Sequence, residues 1–359
     1  MSASNFKKAG ILTLLLILTS VASWEFYLRN KGYFISYDDG EALWSDKRAK
    51  VYQPFDQTTT FIGSSRIKFD LDIPTWEKVT GENAVQLAME GNSPRPVLTD
   101  LANDPGFKGK LIVDVTEGLF FSSSPGYNNQ AGKNIAFYKK FTPSERASVK
   151  IDYLLESQFV FLDKNFFSLN ALLQELPVHD RPGIYGGPDF PWNFNRNTFD
   201  RQSYMSNRFV TDTILQNKVK NIWYNMGRAI REKPPTGALL DSILLSVKTD
   251  CDKIKARGGQ VLFVRTPSSG PFIAGEKMGF PREKYWNMLL AVTNCPGIHF
   301  EDYPAIAHFQ CPEFSHLKPT DAVLFTKNFI NILQEKGWVF PNKTMYSIHS
   351  YSKNSNHGF

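Results

Sequence analysis

Five short runs of β-branched and aliphatic residues, separated by stretches of helical periodicity, constrain this chain more than any other feature. They are Thr58–Ile62, Asn83–Leu87, Lys110–Val115, Gln260–Val264 and Ile298–Phe300. The third, Lys-Leu-Ile-Val-Asp-Val, is apolar almost without a break, as a strand must be when helices cover both its faces. Between the runs, Pro94–Ala102 reads as a helix that starts on proline. Residues 237–257 read as an amphipathic helix closed by Gly258-Gly259. The stretch from Thr320 to about Lys336 places Phe325, Phe329 and Leu333 on one face of a last helix. Strand alternating with helix predicts a mostly parallel sheet of about five strands in a doubly wound, flavodoxin-like α/β fold.

Between Phe120 and Pro235 this alternation stops. Helical periodicity covers 144–160, 165–176 and 210–231, with a Gly/Pro/Asn/aromatic loop over about 177–206. Two readings of this insertion, about 120–235, stand side by side. It covers the carboxyl end of the sheet, where ligands bind in such folds, or it is a helical subdomain that serves stability alone. The loop Tyr185-Gly186-Gly187-Pro188-Asp189-Phe190-Pro191-Trp192 either stacks on sugar rings or packs on its own aromatics.

At 359 residues the chain has room for one large domain or two small ones. Its 41 Lys and Arg against 35 Asp and Glu give +6, but the basic residues are scattered, so no nucleic-acid partner is expected. That surface suits acidic glycans or anionic lipid. The 29 phenylalanines point to a Phe-packed core or an apolar groove.

Lys7-Lys8 precede an apolar stretch from Ala9 to about Ala22, extended by Trp24, Phe26 and Tyr27. A spanning helix needs roughly 20 such residues, and aromatics suit the interface. We read residues 1–28 as one N-terminal anchor, its basic end in the cytoplasm and the bulk of the chain outside. The competing reading is a signal peptide cleaved near Val21-Ala22-Ser23. A mean hydropathy of −0.31 excludes a polytopic membrane protein. The remaining divisions are a juxtamembrane segment (29–57), the α/β domain (58–340) and a flexible tail (341–359). Of the three cysteines, Cys295 and Cys311 can pair in an oxidising compartment, leaving Cys251 free, or all three are buried thiols.

Three segments fall where a parallel-sheet hydrolase places its chemistry. Gly63-Ser64-Ser65-Arg66 follows the first strand, and a serine on such a turn presents its hydroxyl beside free backbone N–H groups. Glu90-Gly91-Asn92-Ser93 follows the second, and glycine lets a carbonyl oxygen approach closely. Glu313-Phe314-Ser315-His316 precedes the last helix, and a carboxylate three residues before a histidine can orient its imidazole. The catalytic candidates are a serine of the first turn, Ser65 or Ser64, with His316 and Glu313. The oxyanion candidates are the N–H groups of Ser65 and Gly91, with the Asn92 amide as a further donor. Arg66 grips a substrate anion or forms an ion pair with Asp70 or Asp72. Arg265, on the turn after the fourth strand, contacts substrate or belongs to a simple turn. His308 lies eight residues before His316 with no acidic ligand set, so neither a metal nor a cofactor is expected.

The order and strand context of these segments resemble the SGNH/GDSL hydrolase superfamily. There the nucleophile follows strand one in a Gly-Asp-Ser turn, an oxyanion glycine follows strand two, an asparagine follows strand three, and Asp-x-x-His precedes the last helix. Here Ser64 stands for the Asp, so the resemblance makes Ser65 the nucleophile; Gly91 matches the oxyanion glycine, Glu313 stands for the Asp before His316, and Val115-Thr116-Glu117-Gly118 replaces the asparagine block. With the anchor, the chain is similar to envelope SGNH-like proteins such as the alginate O-acetyltransferase group. The resemblance implies a serine-dependent O-acyl esterase or acyltransferase in the bacterial inner membrane, its main domain in the periplasm or outside the cell. It implies an acylated envelope glycan or lipid as substrate, and a membrane-bound acyltransferase as an additional partner. The rival it carries is a catalytically degenerate binding or assembly subunit. A Ser65–His316 separation beyond hydrogen-bond reach would favour the rival.

Overall fold

The computed structural model describes residues 3–174, 188–229 and 232–342. Tyr185-Gly186-Gly187 of the aromatic loop, the last residues of the 165–176 and 210–231 helices, and the tail from residue 343 lie outside the described residues. In chain order the strands are β1 (Thr58–Ile62), β2 (Asn83–Gln86), β3 (Lys110–Asp114), β4 (Arg196–Asn197), β5 (Ser203–Tyr204), β6 (Gln260–Arg265) and β7 (Gly297–His299). Five of them form one all-parallel sheet in the order β2-β1-β3-β6-β7.

The apolar centres of β3 and β6 and the β-branched run of β1 have a direct cause. Successive side chains point to opposite faces, and both faces are covered. Ile62, Leu111, Val113 and Phe263 enter one core with Val97, Leu98 and Leu101 of a helix over Arg95–Asn103 and with Leu240, Ile243 and Val247 of the helix Ala238–Ala256. Phe61, Ile112 and Leu262 enter the other, with Trp76, Phe325, Phe329 and Leu333. The phenylalanine stripe read on the last helix (Pro319–Glu335) is thus a core stripe. Cys295 belongs to the first core and Cys311 to the second, so the sheet separates them. All three cysteines are buried and free.

The N-terminal helix α1 runs over Ala3–Asn30, with the apolar residues Ile11–Leu18 exposed and Leu28 buried. From Asn5 to Asn30 it is long and apolar enough to cross a membrane. The stretch after it packs into the α/β body. Within the helix α2 (Glu41–Arg48), the Trp44 indole is fully buried and donates to the Leu87 carbonyl at 3.0 Å. Arg48 pairs with Asp100 and Asp104.

The insertion differs in detail from its sequence reading. The 165–176 helix is two short ones, Lys164–Phe167 and Leu169–Gln174, because the Ser168 hydroxyl caps the second by accepting from Ala171 N–H. The 210–231 helix starts afresh at Thr213 because Asp212 caps Ile214 N–H at 2.9 Å. The expected loop holds the antiparallel pair β4/β5, whose two-residue strands are too short to show alternation. Phe194, Met205, Phe209 and Val219 of the insertion close over Phe69 at the carboxyl side of β1, which places the insertion beside the turn carrying Ser65.

Candidate active site

Strand β1 ends at Ile62, and Gly63 turns the chain into the short helix α3 (Ser65–Asp70). Only glycine fits there. A Cβ on residue 63 would lie 2.6 Å from the Asp114 Cβ and 2.7 Å from Ile67 Cγ2. Gly63→Ala should therefore cost about 1–3 kcal/mol as overpacking. The check is a lowered thermal midpoint of the detergent-solubilised chain, and an unchanged midpoint would contradict the argument. Ser64 caps α3 by accepting from Arg66 N–H at 3.3 Å, and its hydroxyl pairs with that of Thr116 at 2.7 Å. The cap role falls to Ser64, which leaves the next hydroxyl, that of Ser65, facing the cavity.

The loop before the last helix brings the histidine to it. His316 Nε2 lies 2.8 Å from Ser65 Oγ, across 251 residues of sequence. Its Nδ1 lies 2.9 Å from Glu313 Oε1, which also accepts the His316 backbone N–H at 2.7 Å. Glu313 is fully buried, and its second oxygen accepts the Trp223 indole N–H. This network fixes the tautomer: Nδ1 carries the hydrogen, and the Nε2 lone pair faces the serine hydroxyl. Within this turn Phe314 adopts a left-handed φ of 82°. That strained residue is held from both sides, since Ser269 N–H donates to its carbonyl at 2.9 Å and its own N–H donates to Cys311 O. Leu317 N–H donates to the buried Asp70 carboxylate at 2.9 Å, which pins the other end of the loop. The turn after β6 thus supports the histidine loop through Ser269.

Gly91, at a left-handed φ of 62°, faces open space where a Cβ would stand. No acceptor takes the N–H of Ser65 or of Gly91 among the described residues. Asn92 is not part of this arrangement. Its amide donates to the Glu90 carbonyl at 2.8 Å, and it does not line the cavity. After β3, the Thr116 hydroxyl is tied to Ser64 and to Asp114, so no side-chain amide comes from that strand.

The two arginines take structural partners. Arg66 pairs with Glu276, in place of Asp70 or Asp72, and donates to Ser315 Oγ at 3.2 Å. Arg265 lies behind the cavity wall, paired with Glu276 and with Glu117 at 3.1 Å, and donating to Ser268. Two buried cations, the buried Glu117 and the partly exposed Glu276 at the cavity wall so form one chain beneath the turn. Burial is offset there by mutual pairing, and substrate recognition does not fall to Arg265.

Asp114, at the end of β3, is pushed up to about 6 by burial, against the opposing pull of Arg66 and the Ser64 hydrogen bonds. Its folded-state value lies above the unfolded one, so the folded protein holds this proton more tightly. The charged form therefore weakens the fold above about pH 6, and that burden of about 3 kcal/mol is relieved as pH falls toward 4. Asp114→Asn is expected to raise the thermal midpoint more at pH 8 than at pH 4. An equal change at both would contradict this account.

Ser65, His316 and Gly91 open on one cavity of about 840 Å3, walled on the histidine side by Phe69, Phe194, Trp223 and Phe272. The His316 ring lies 4.4 Å from that of Phe69. Trp223, Phe69, Phe194 and Glu276 carry no local signature in the sequence. Trp223 reads as one more apolar position on an amphipathic helix, and only the tertiary fold brings it to Glu313.

No family model matches the chain, and no curated protein matches it by sequence.

Proposed function

We propose that this chain is a membrane-anchored, serine-dependent O-acyl enzyme of the SGNH type, acting outside the bacterial inner membrane on an acylated envelope glycan or lipid. The observation that carries the reading is the hydrogen-bonded relay from Ser65 through His316 to Glu313 at the wall of a large cavity. The strand order with cores on both sheet faces supports the doubly wound, flavodoxin-like arrangement on which such a site is built.

In this mechanism His316 Nε2 takes the Ser65 proton as Oγ attacks the acyl carbonyl carbon. The Ser65 and Gly91 N–H groups receive the oxyanion. Collapse breaks the bond to the leaving alkoxide, which departs with the proton from His316, and Glu313 stabilises the imidazolium meanwhile. An incoming hydroxyl then gives its proton to His316 as its oxygen attacks the acyl carbon; the bond to Ser65 Oγ breaks, and His316 returns the proton to Oγ. Water as acceptor gives hydrolysis, and a sugar hydroxyl gives transfer. The aromatic wall beside His316 is the feature of the cavity that favours transfer, to the extent that it limits water beside the acyl group.

A second reading, a non-catalytic assembly subunit, draws on one observation. Thr116 stands where the SGNH pattern has its asparagine, and its hydroxyl is engaged elsewhere. Brief incubation with p-nitrophenyl acetate, acid quench and peptide mapping separates the two. An acetyl group on Ser65 supports the enzyme, and an unmodified, folded protein supports the subunit.

A further inference from the structure

The anchor helix meets the body through specific contacts at its far end. Counting about 20 residues from Ala9 brings the helix to the opposite membrane face near Leu28. At that level Glu25 accepts the backbone N–H groups of Val160 and Phe161, at 3.0 and 3.2 Å. Arg29 donates to the Gln158 carbonyl at 2.8 Å, and Trp24 packs edge-on to Phe167. Leu28 is buried in this joint. With α1 read as the anchor, as the proposed function has it, these contacts set residues 158–167 at the height of the lipid headgroups.

The elements around that joint expose large apolar side chains. The helix Pro143–Glu156 ends in Ile151, Leu154 and Leu155, and Phe159 follows it. The helix Leu169–Gln174 exposes Leu169 and Leu173. Leu154 is 62% exposed and Leu169 is 73% exposed. The intervening short helices pack in series, the turn Val160–Leu162 touching the Pro143–Glu156 helix, Lys164–Phe167 and α1, and Lys164–Phe167 touching Leu169–Gln174. Water-facing surfaces seldom gather such side chains without a partner. Their continuity with a membrane-crossing helix says what the partner is.

We propose that the end of the Pro143–Glu156 helix and the Leu169–Gln174 helix form a monotopic docking face seated in the outer headgroup layer of the membrane that α1 crosses. The face lies in the interface plane, its leucines reaching ~5–10 Å below the surface. Lys31, beside the crevice between anchor and body, suits the anionic headgroups there. Phe166 walls both that crevice and the catalytic cavity. Docking thus holds the cavity one side chain from the lipid surface, in place of letting it swing on a tether.

The test uses the full chain in vesicles of three parts phosphatidylethanolamine to one part phosphatidylglycerol. Because all three native cysteines are buried, single cysteines at Leu154, Leu169 and Val339 can be labelled with a nitrobenzoxadiazole maleimide. Val339 is exposed, and its carbonyl meets Lys110 at the amino end of β3, away from the cavity. Circular dichroism checks each variant's fold. With lipid carrying a nitroxide high on its acyl chain, labels at 154 and 169 should lose about half or more of their emission, and the label at 339 almost none. Labels at 154 and 169 as bright and unquenched as that at 339 would overturn the proposal. Labels shielded from water but not quenched by lipid would also overturn it, because a second copy of the chain would then cover the face.

Discussion

Ser65→Ala and His316→Ala are each expected to lower acyl turnover on p-nitrophenyl acetate by roughly 10⁴- to 10⁶-fold, with the double variant no worse than either alone. The non-additivity follows from the geometry. The hydroxyl is 2.8 Å from Nε2, and neither group can act without the other. Removing Ser65 leaves no nucleophile, and removing His316 leaves a neutral hydroxyl with no base. What remains is the positioning supplied by the cavity and the two backbone N–H groups. Ser65→Ala deletes one partly exposed oxygen, so its melting curve should match that of the parent chain. Single variants that keep more than about 1% of turnover, or a double variant with the product of two independent losses, would refute a shared relay.

The largest effect on stability is expected at Arg265. It is buried, paired with Glu117 and Glu276, and donates to Ser268 Oγ at 2.9 Å and to the Thr266 carbonyl. Arg265→Met leaves Glu117 buried without a cation, which costs about 3–5 kcal/mol. Glu276 retains Arg66. Burial alone would raise the Glu276 carboxyl, but Arg66 and Arg265 outweigh it and hold the group down to about 2. A depressed folded-state value contributes stability above the unfolded one near 4 that is lost as pH falls toward 2. Arg265→Met should therefore lose most stability at neutral pH and converge with the parent chain in acid. Adding Glu117→Gln should recover part of the loss, because it removes the stranded charge. A neutral-pH urea midpoint unchanged in Arg265→Met, at equal slope, would contradict the account.

The sheet was legible in the sequence for a physical reason. A strand covered on both faces is apolar or β-branched along its middle, and β1 (Thr-Thr-Thr-Phe-Ile), β3 and β6 are written that way. The order of the candidate groups was legible too, since Ser65, Gly91 and His316 each lie just beyond a strand or just before the last helix, where chain topology alone fixes one end of the sheet. The partners of Arg66 and Arg265 were hidden. Glu276 lies 210 residues from Arg66 in sequence, and no local pattern marks an ion pair that tertiary folding creates. The same holds for Trp223, whose indole reaches Glu313 across 90 residues. Asn92 illustrates the converse: a polar residue next to a site glycine reads as a donor, but its amide N–H donates to the Glu90 carbonyl two residues away. The helix breaks at Ser168 and Asp212 were readable in principle, because both residues are common caps, but the apolar periodicity runs through them.

The central claim is that Ser65 is an activated nucleophile. Labelling of the detergent-solubilised full chain with a serine-reactive fluorophosphonate tests it most directly, with Ser65→Ala and His316→Ala beside it and circular dichroism on all three. The account predicts a single adduct on Ser65 that is lost in both variants. A folded parent chain that takes no label, or that keeps its label in Ser65→Ala, would contradict it.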